Sequence, residues 1–123
     1  YNNFDELKSL IGKNKNIGTI KMEVIRNMEP KKGFLKKVRK LCDERNLILI
    51  FDECTSGFRE TFGGLHLKYG IMPDIAVFGK TLGNGYAINA VIGTKEVMEN
   101  SQGSFISSIT FFTFIFYFFS QTW

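Results

Sequence analysis

The sequence predicts an α/β domain whose mostly parallel sheet is flanked by helices, and three observations carry that reading. Apolar runs of strand length alternate along the chain with amphipathic stretches of helical period. One run, Leu47-Ile-Leu-Ile-Phe51, is apolar at every position, as a strand is when helices cover both faces of its sheet. That run ends on Asp52 and Glu53, and a second strand-like run ends just before Gly79 and Lys80, so charged groups fall where open α/β sheets hold ligands.

The elements follow in order. Phe4, Leu7, Leu10 and Ile11 share one helical face, with Asn2 or Asn3 available as a cap, so residues 4–11 predict a short helix. Residues 14–18 are turn-forming, and residues 18–25 alternate apolar and polar side chains as a strand does, with Glu23 near the end. Pro30 is suited to open the next helix, whose apolar positions Phe34, Leu35, Val38, Leu41 and Cys42 recur at helical steps up to a stop at Asn46. After the strand at 47–51, residues 54–70 are rich in glycine and polar types and predict a long loop with a helical turn at 66–69. A strand at 74–78, a loop at 79–86, a strand at 87–93 and a helical turn at 95–100 complete the pattern.

Residues 111–119 read FFTFIFYFF, an apolar run too short to cross a bilayer as a helix, which needs about 20 residues. A buried strand is one reading. The preferred one is that residues 109–123 form a hydrophobic tail foreign to the fold and prone to aggregate, leaving residues 1–108 as the domain proper.

Composition narrows the function classes. The chain has 123 residues, 44% hydrophobic and 23% charged, enough for one small globular core. Its net charge of +4 comes from lysines and arginines spread along helices, which points to solvated faces and not to a nucleic-acid groove. Cys42 and Cys54 have neither metal-ligand spacing nor companions, so the expectation is no metal and a reducing, cytoplasmic setting. No signal peptide and no membrane span are expected, and a start at Tyr1 instead of methionine suggests that preceding sequence is absent.

Taken alone, an aspartate after a strand is more often a turn or cap residue, and a lysine there is usually a surface charge. Their surroundings alter the balance. The segments LILIFDECTSGFR (47–59), FGG (62–64), YGIMPDIAVFGKTLGNGY (69–86) and AVIGTKEVM (90–98) resemble, in order, the class III aminotransferases, and their glutamate-1-semialdehyde aminomutase-like members in particular. The resemblance covers roughly residues 18–108 and implies part of the large domain of a fold-type I pyridoxal-phosphate transferase, cut at both ends. It places the family's Schiff-base lysine on Lys80 and its pyridine-pairing carboxylate on Asp52. Both roles suit the chemistry, which needs an amine to anchor the cofactor and an acid to hold the ring-nitrogen proton.

Further assignments come from the resemblance alone. Glu23, in KMEVIRNMEP, falls on a glutamate that shapes the active site, although Val24 stands where a proline often follows. Cys54 replaces a valine packed on the ring face, and Thr110 is the candidate for a threonine of the phosphate site across a dimer interface, displaced by an extra Ile109. The implied parent is a homodimer that transfers or shifts an amino group between small molecules, with substrate undetermined. His66 is read as a surface or packing residue and Arg59 as the partner of a nearby carboxylate.

Two other readings stay open. DIAVFGKT (74–81) matches a phosphate-binding P-loop except that Asp74 replaces the first glycine, and the strand-like 75–78 leaves no room for the loop to curl; GNG at 83–85 lacks the rest of a dinucleotide fingerprint. The chain is also readable as a truncated, non-enzymatic gene product, because the phosphate loop, the ring-stacking aromatic and the small domain implied by the resemblance have no counterpart in it.

Overall fold

The structure, a computed structural model, describes residues 1–100 and the strand Phe114–Ser120. A five-stranded sheet runs β1 (Thr19–Met22), β2 (Ile48–Asp52), β3 (Ile75–Phe78), β4 (Ile88–Thr94), β5 (Phe114–Ser120) in spatial order. The β1–β2, β2–β3 and β4–β5 pairs are parallel and β3–β4 is antiparallel, so the expected mostly parallel α/β sheet is present. The phenylalanine run thus supplies a strand, Ile88 pairing with Phe114 and Thr94 with Ser120.

Helix α1 (Phe4–Lys13) begins where the sequence places its cap: Asn3 Oδ1 accepts from Glu6 N at 3.2 Å, and Asn3 Nδ2 donates to Glu6 Oε2 at 2.8 Å. Helix α2 (Phe34–Arg45) ends on Asn46, which takes the left-handed conformation (φ 51°) that closes helices and that asparagine tolerates better than most residues. Its start differs from expectation. Pro30 lies upstream, and Phe34 N donates to Lys31 O across a turn that Gly33, at φ 78°, converts into helix.

Between β2 and β3 the loop contains a single helical turn, α3 (His66–Tyr69), as expected. The expected loop at 79–86 instead opens with a turn of helix, α4 (Lys80–Gly83), closed by Asn84 at φ 43°. Gly79 before it offers no side-chain cap to announce the turn. The turn at the end of β4 is α5 (Lys95–Glu99).

One face of the sheet carries the main core. Ile20, Leu49 and Phe51 pack with Ile11, Leu35, Val38, Leu41 and Cys42 of the two long helices. Beside it, Ala76, Phe78 and Ala90 pack with Phe58, Leu82 and Ile92. Among the described residues the helices fully bury one face of β2, that of Leu49 and Phe51, while Ile48 and Ile50, pointing the other way, are half-buried. Side chains alternate between faces along a strand, so the half-buried face is the one that also carries Asp52. Asp74 fixes the opposite end of the strands. Its Oδ2 accepts from Leu49 N at 2.7 Å and from Arg39 Nη1 at 2.8 Å, tying β3 to β2 and α2.

Candidate active site

Parallel pairing sets the site. β2 and β3 are adjacent, with Asp52 opposite Val77, so the residues leaving their carboxyl ends emerge side by side. Glu53 N donates to Val77 O at 2.8 Å, and Lys80 N donates to Cys54 O at 3.0 Å, so the two exits are stitched together. Gly79 permits the close approach: a Cβ there would lie 2.9 Å from Asn89 Oδ1 and 3.2 Å from Cys54 Sγ.

Asp52 accepts from the Cys54 amide through Oδ1 at 3.2 Å, and its Oδ2 lies 3.0 Å from Lys21 Nζ. Its partial burial works to raise the carboxyl pKa, but the hydrogen bonds from Lys21 and Cys54 outweigh it and hold the group below the usual carboxylate range. Lys80 is exposed, and its Nζ donates to Thr55 Oγ1 at 2.9 Å. The Cys54 thiol is pushed up, chiefly by burial and then by Asp52, while the Lys80 and Lys21 charges pull the other way. Cys54 therefore sits within electrostatic reach of both the acid and the amine.

The structure thus brings Asp52, Cys54 and Lys80 together. Glu23 directly follows β1 at the same edge of the sheet, with Oε1 3.6 Å from Arg26 Nη1 and its charge felt by Lys21. Thr110 lies outside the described residues. β3 runs straight to Phe78, so no phosphate-cradling curl precedes Gly79 and the P-loop reading loses its geometry.

Several contributors were not picked out from the sequence. Lys21 is in register with Ile50 and so shares the face of Asp52, and counting strand parity from Glu23 could have found it. Thr55, which takes the hydrogen bond of Lys80, carried no sequence signal. Glu53 is the larger omission: fully buried, it accepts from His66 N at 2.9 Å, from His66 Nδ1 at 2.8 Å and from the Ser56 hydroxyl. His66 is accordingly a packed residue and not a surface one, seated against Gly64, where a Cβ would come within 2.2 Å of its ring. Among the described residues Arg59 meets no carboxylate; its Nε donates to Thr55 O. Among the described residues no cluster of three or more His, Cys, Asp or Glu could hold a metal, and no helix is long and apolar enough to cross a membrane.

The open, mostly parallel α/β sheet with flanking helices is the fold of part of a fold-type I transferase large domain. FumI from Sphingopyxis sp. MTA144, solved in its pyridoxal-phosphate internal aldimine form, shares that fold with a TM-score of 0.78 at 23% identity over 88% of this chain and 28% of its own. The family profile "Aminotransferase class-III" matches residues 6–112, and the chain belongs to that family. It is 47% identical over 103 residues to a glutamate-1-semialdehyde 2,1-aminomutase of Nitrosopumilus maritimus (strain SCM1), covering 80% of this chain and 24% of the relative. It is 39% identical over 119 residues to a 3-aminobutyryl-CoA aminotransferase of Cloacimonas acidaminovorans (strain Evry), covering 91% of this chain and 29% of that protein. The chain spans about a quarter of the length of the curated relatives it matches.

Proposed function

We propose that this chain is the lysine-bearing part of a pyridoxal-phosphate-dependent aminotransferase or aminomutase, with Lys80 the covalent anchor and Asp52 the partner of the pyridine nitrogen. The observation that carries the reading is the junction of β2 and β3, where the Lys80 amide bonds the Cys54 carbonyl two residues after Asp52. The donor set suits the cofactor: an ionised carboxylate, an accessible amine and, between them, a glycine whose missing side chain leaves the strand ends close. When bound, pyridoxal phosphate supplies an electron sink for the carbon bearing the amino group.

The residues divide the remaining work. As an ionised carboxylate Asp52 would accept a hydrogen bond from the ring N–H and so keep the ring nitrogen protonated, and Lys80 Nζ, steered by Thr55 Oγ1, would serve as the acid and base at the substrate carbon. Cys54 would pack against the ring and Glu23 would shape the site from the end of β1, and the family's phosphate-site threonine falls on Thr110, displaced by Ile109 at the start of the tail. The relatives' names favour small-molecule amino donors and acceptors, and the family resemblance implies a homodimeric parent. Two free cysteines favour a cytoplasmic setting, and the dispersed lysines and arginines do not favour nucleic acid. In this reading turnover needs the whole enzyme. The reading also ends the enzyme-like part at Ser108 and takes residues 109–123 as foreign to it, which sequencing of the encoding transcript past Ser108 tests.

The test is to mix the purified chain with pyridoxal phosphate, reduce with borohydride and map the label by mass spectrometry. Label is expected on Lys80 and is lost in Lys80→Ala; label scattered over many lysines, unchanged by that substitution, overturns the reading.

A further inference from the structure

The carboxylate assigned to the ring nitrogen already has a cation on it. Lys21 Nζ lies 3.0 Å from Asp52 Oδ2, and the Cys54 amide engages Oδ1, so both oxygens are occupied. The contact follows from the fold. Lys21 pairs with Ile50, both point to the face that carries Asp52, and a lysine side chain is long enough to reach the next same-face residue on a neighbouring strand. Lys21 remains largely solvent-exposed, at 60%, with Asp52 at 26%, so water can replace the ammonium without a buried charge being left behind.

We infer that Lys21 is a tuning residue for the cofactor, a counter-cation that competes with the pyridinium for Asp52 and weakens the hold of the site on a protonated ring. The inference rests on the proposed roles of Asp52 and Lys80. A carboxylate oxygen can accept more than one hydrogen bond, so the ring N–H can share Asp52 with Lys21 or displace it. In either case a like charge sits beside the pyridinium or has to be moved, and both oppose binding. The direction of the Asp52 and Lys21 titrations agrees, since each holds the other in its charged form.

The experiment compares the full chain with Lys21→Met and Lys21→Arg, titrating with pyridoxal phosphate and counting borohydride-trapped label at Lys80. It is repeated with 1-deazapyridoxal phosphate, in which the ring nitrogen is a carbon. At low ionic strength Lys21→Met is expected to reach half-saturation at about two- to fivefold lower pyridoxal phosphate, a gain that shrinks as salt screens the charges. Lys21→Arg, which keeps the charge, should behave as the parent chain, and the gain should vanish with the deaza compound. Carbon-13 titration of the Asp52 carboxyl should also move up in Lys21→Met. Label on Lys80 with equal or weaker affinity in Lys21→Met, a gain that persists with the deaza compound, or an unmoved Asp52 titration overturns the inference while leaving the lysine assignment standing. Absence of label at Lys80 in all three proteins overturns the assignment itself and this inference with it.

Discussion

Two consecutive acids, Asp52 and Glu53, have opposite environments because successive side chains on an extended segment leave it on opposite sides. Asp52 turns to the open face and the site; Glu53 turns into the core. That Asp52 and Lys80 leave neighbouring strand ends was legible in the sequence, since each follows an apolar run of strand length, whereas their joint role came from the family resemblance. The role of Glu53 was not, because its donors are His66 and Ser56, and the backbone between 53 and 66 has no regular period to follow. Burial works to raise the Glu53 carboxyl, but the hydrogen bonds from the His66 side chain, Ser56 and the His66 and Leu65 amides outweigh it and hold it below its ordinary value of 4.5. A group depressed on folding stabilises the fold above its unfolded value, and that contribution is lost as pH falls through the folded one. Urea midpoints should therefore fall with pH below about 4.5 in the parent chain and much less steeply in Glu53→Gln. Glu53→Ala removes the shared acceptor of these donors and should cost about 3 kcal/mol at neutral pH by urea denaturation. A loss under about 1 kcal/mol would mean that water replaces the carboxylate, contrary to its burial.

The elements of the fold were readable where a terminal residue announces them, whereas α4, a single turn that Gly79 opens without a side-chain cap, was not. Asn3 and Asn46 marked the ends of α1 and α2 correctly, whereas Pro30 did not mark a beginning, because the turn at 31–34 intervenes. Asn46 at φ 51° makes a direct test possible. Asn46→Gly should be neutral or slightly stabilising, and Asn46→Val should cost about 1 to 2 kcal/mol, because a β-branched residue resists the left-handed region. Thermal or urea denaturation of the two variants checks the sign. The junction at Asp74 is a second point of leverage, where one carboxylate oxygen serves a strand amide and a mostly buried guanidinium. Asp74→Ala leaves the Leu49 amide without its side-chain acceptor and takes from Arg39 Nη1 its closer one, and should destabilise by about 2 kcal/mol, whereas Asp43→Ala, whose side chain is 62% exposed, should change stability by less than about 0.5 kcal/mol.

At the scale of the whole molecule, the continuous apolar run 47–51 forecast a strand covered on both faces, and among the described residues the helices fully bury one. Ile48 and Ile50 of β2, Ile75 and Val77 of β3 and Val91 of β4 are half-buried and share the other face by their register. The aromatic rings of Phe62 and Tyr86 stand at 100% and 80% exposure in the loops flanking the site. Contiguous apolar surface of this kind drives association when nothing covers it. The isolated polypeptide is therefore expected to bind 8-anilinonaphthalene-1-sulfonate and to sediment as mixed oligomers. Replacing Ile50 and Val77 by threonine keeps β-branched shape on the strand while removing apolar surface from the open face alone. That double variant should bind less dye and shift toward monomer with its urea midpoint little changed, whereas the same exchange at Leu49 and Ala76, on the covered face, should unfold the chain. Equal dye binding by the parent and the Ile50/Val77 variant would show that the sheet face is not the sticky surface and would move attention to Phe62 and Tyr86, whose replacement by serine is then the variant expected to restore the monomer.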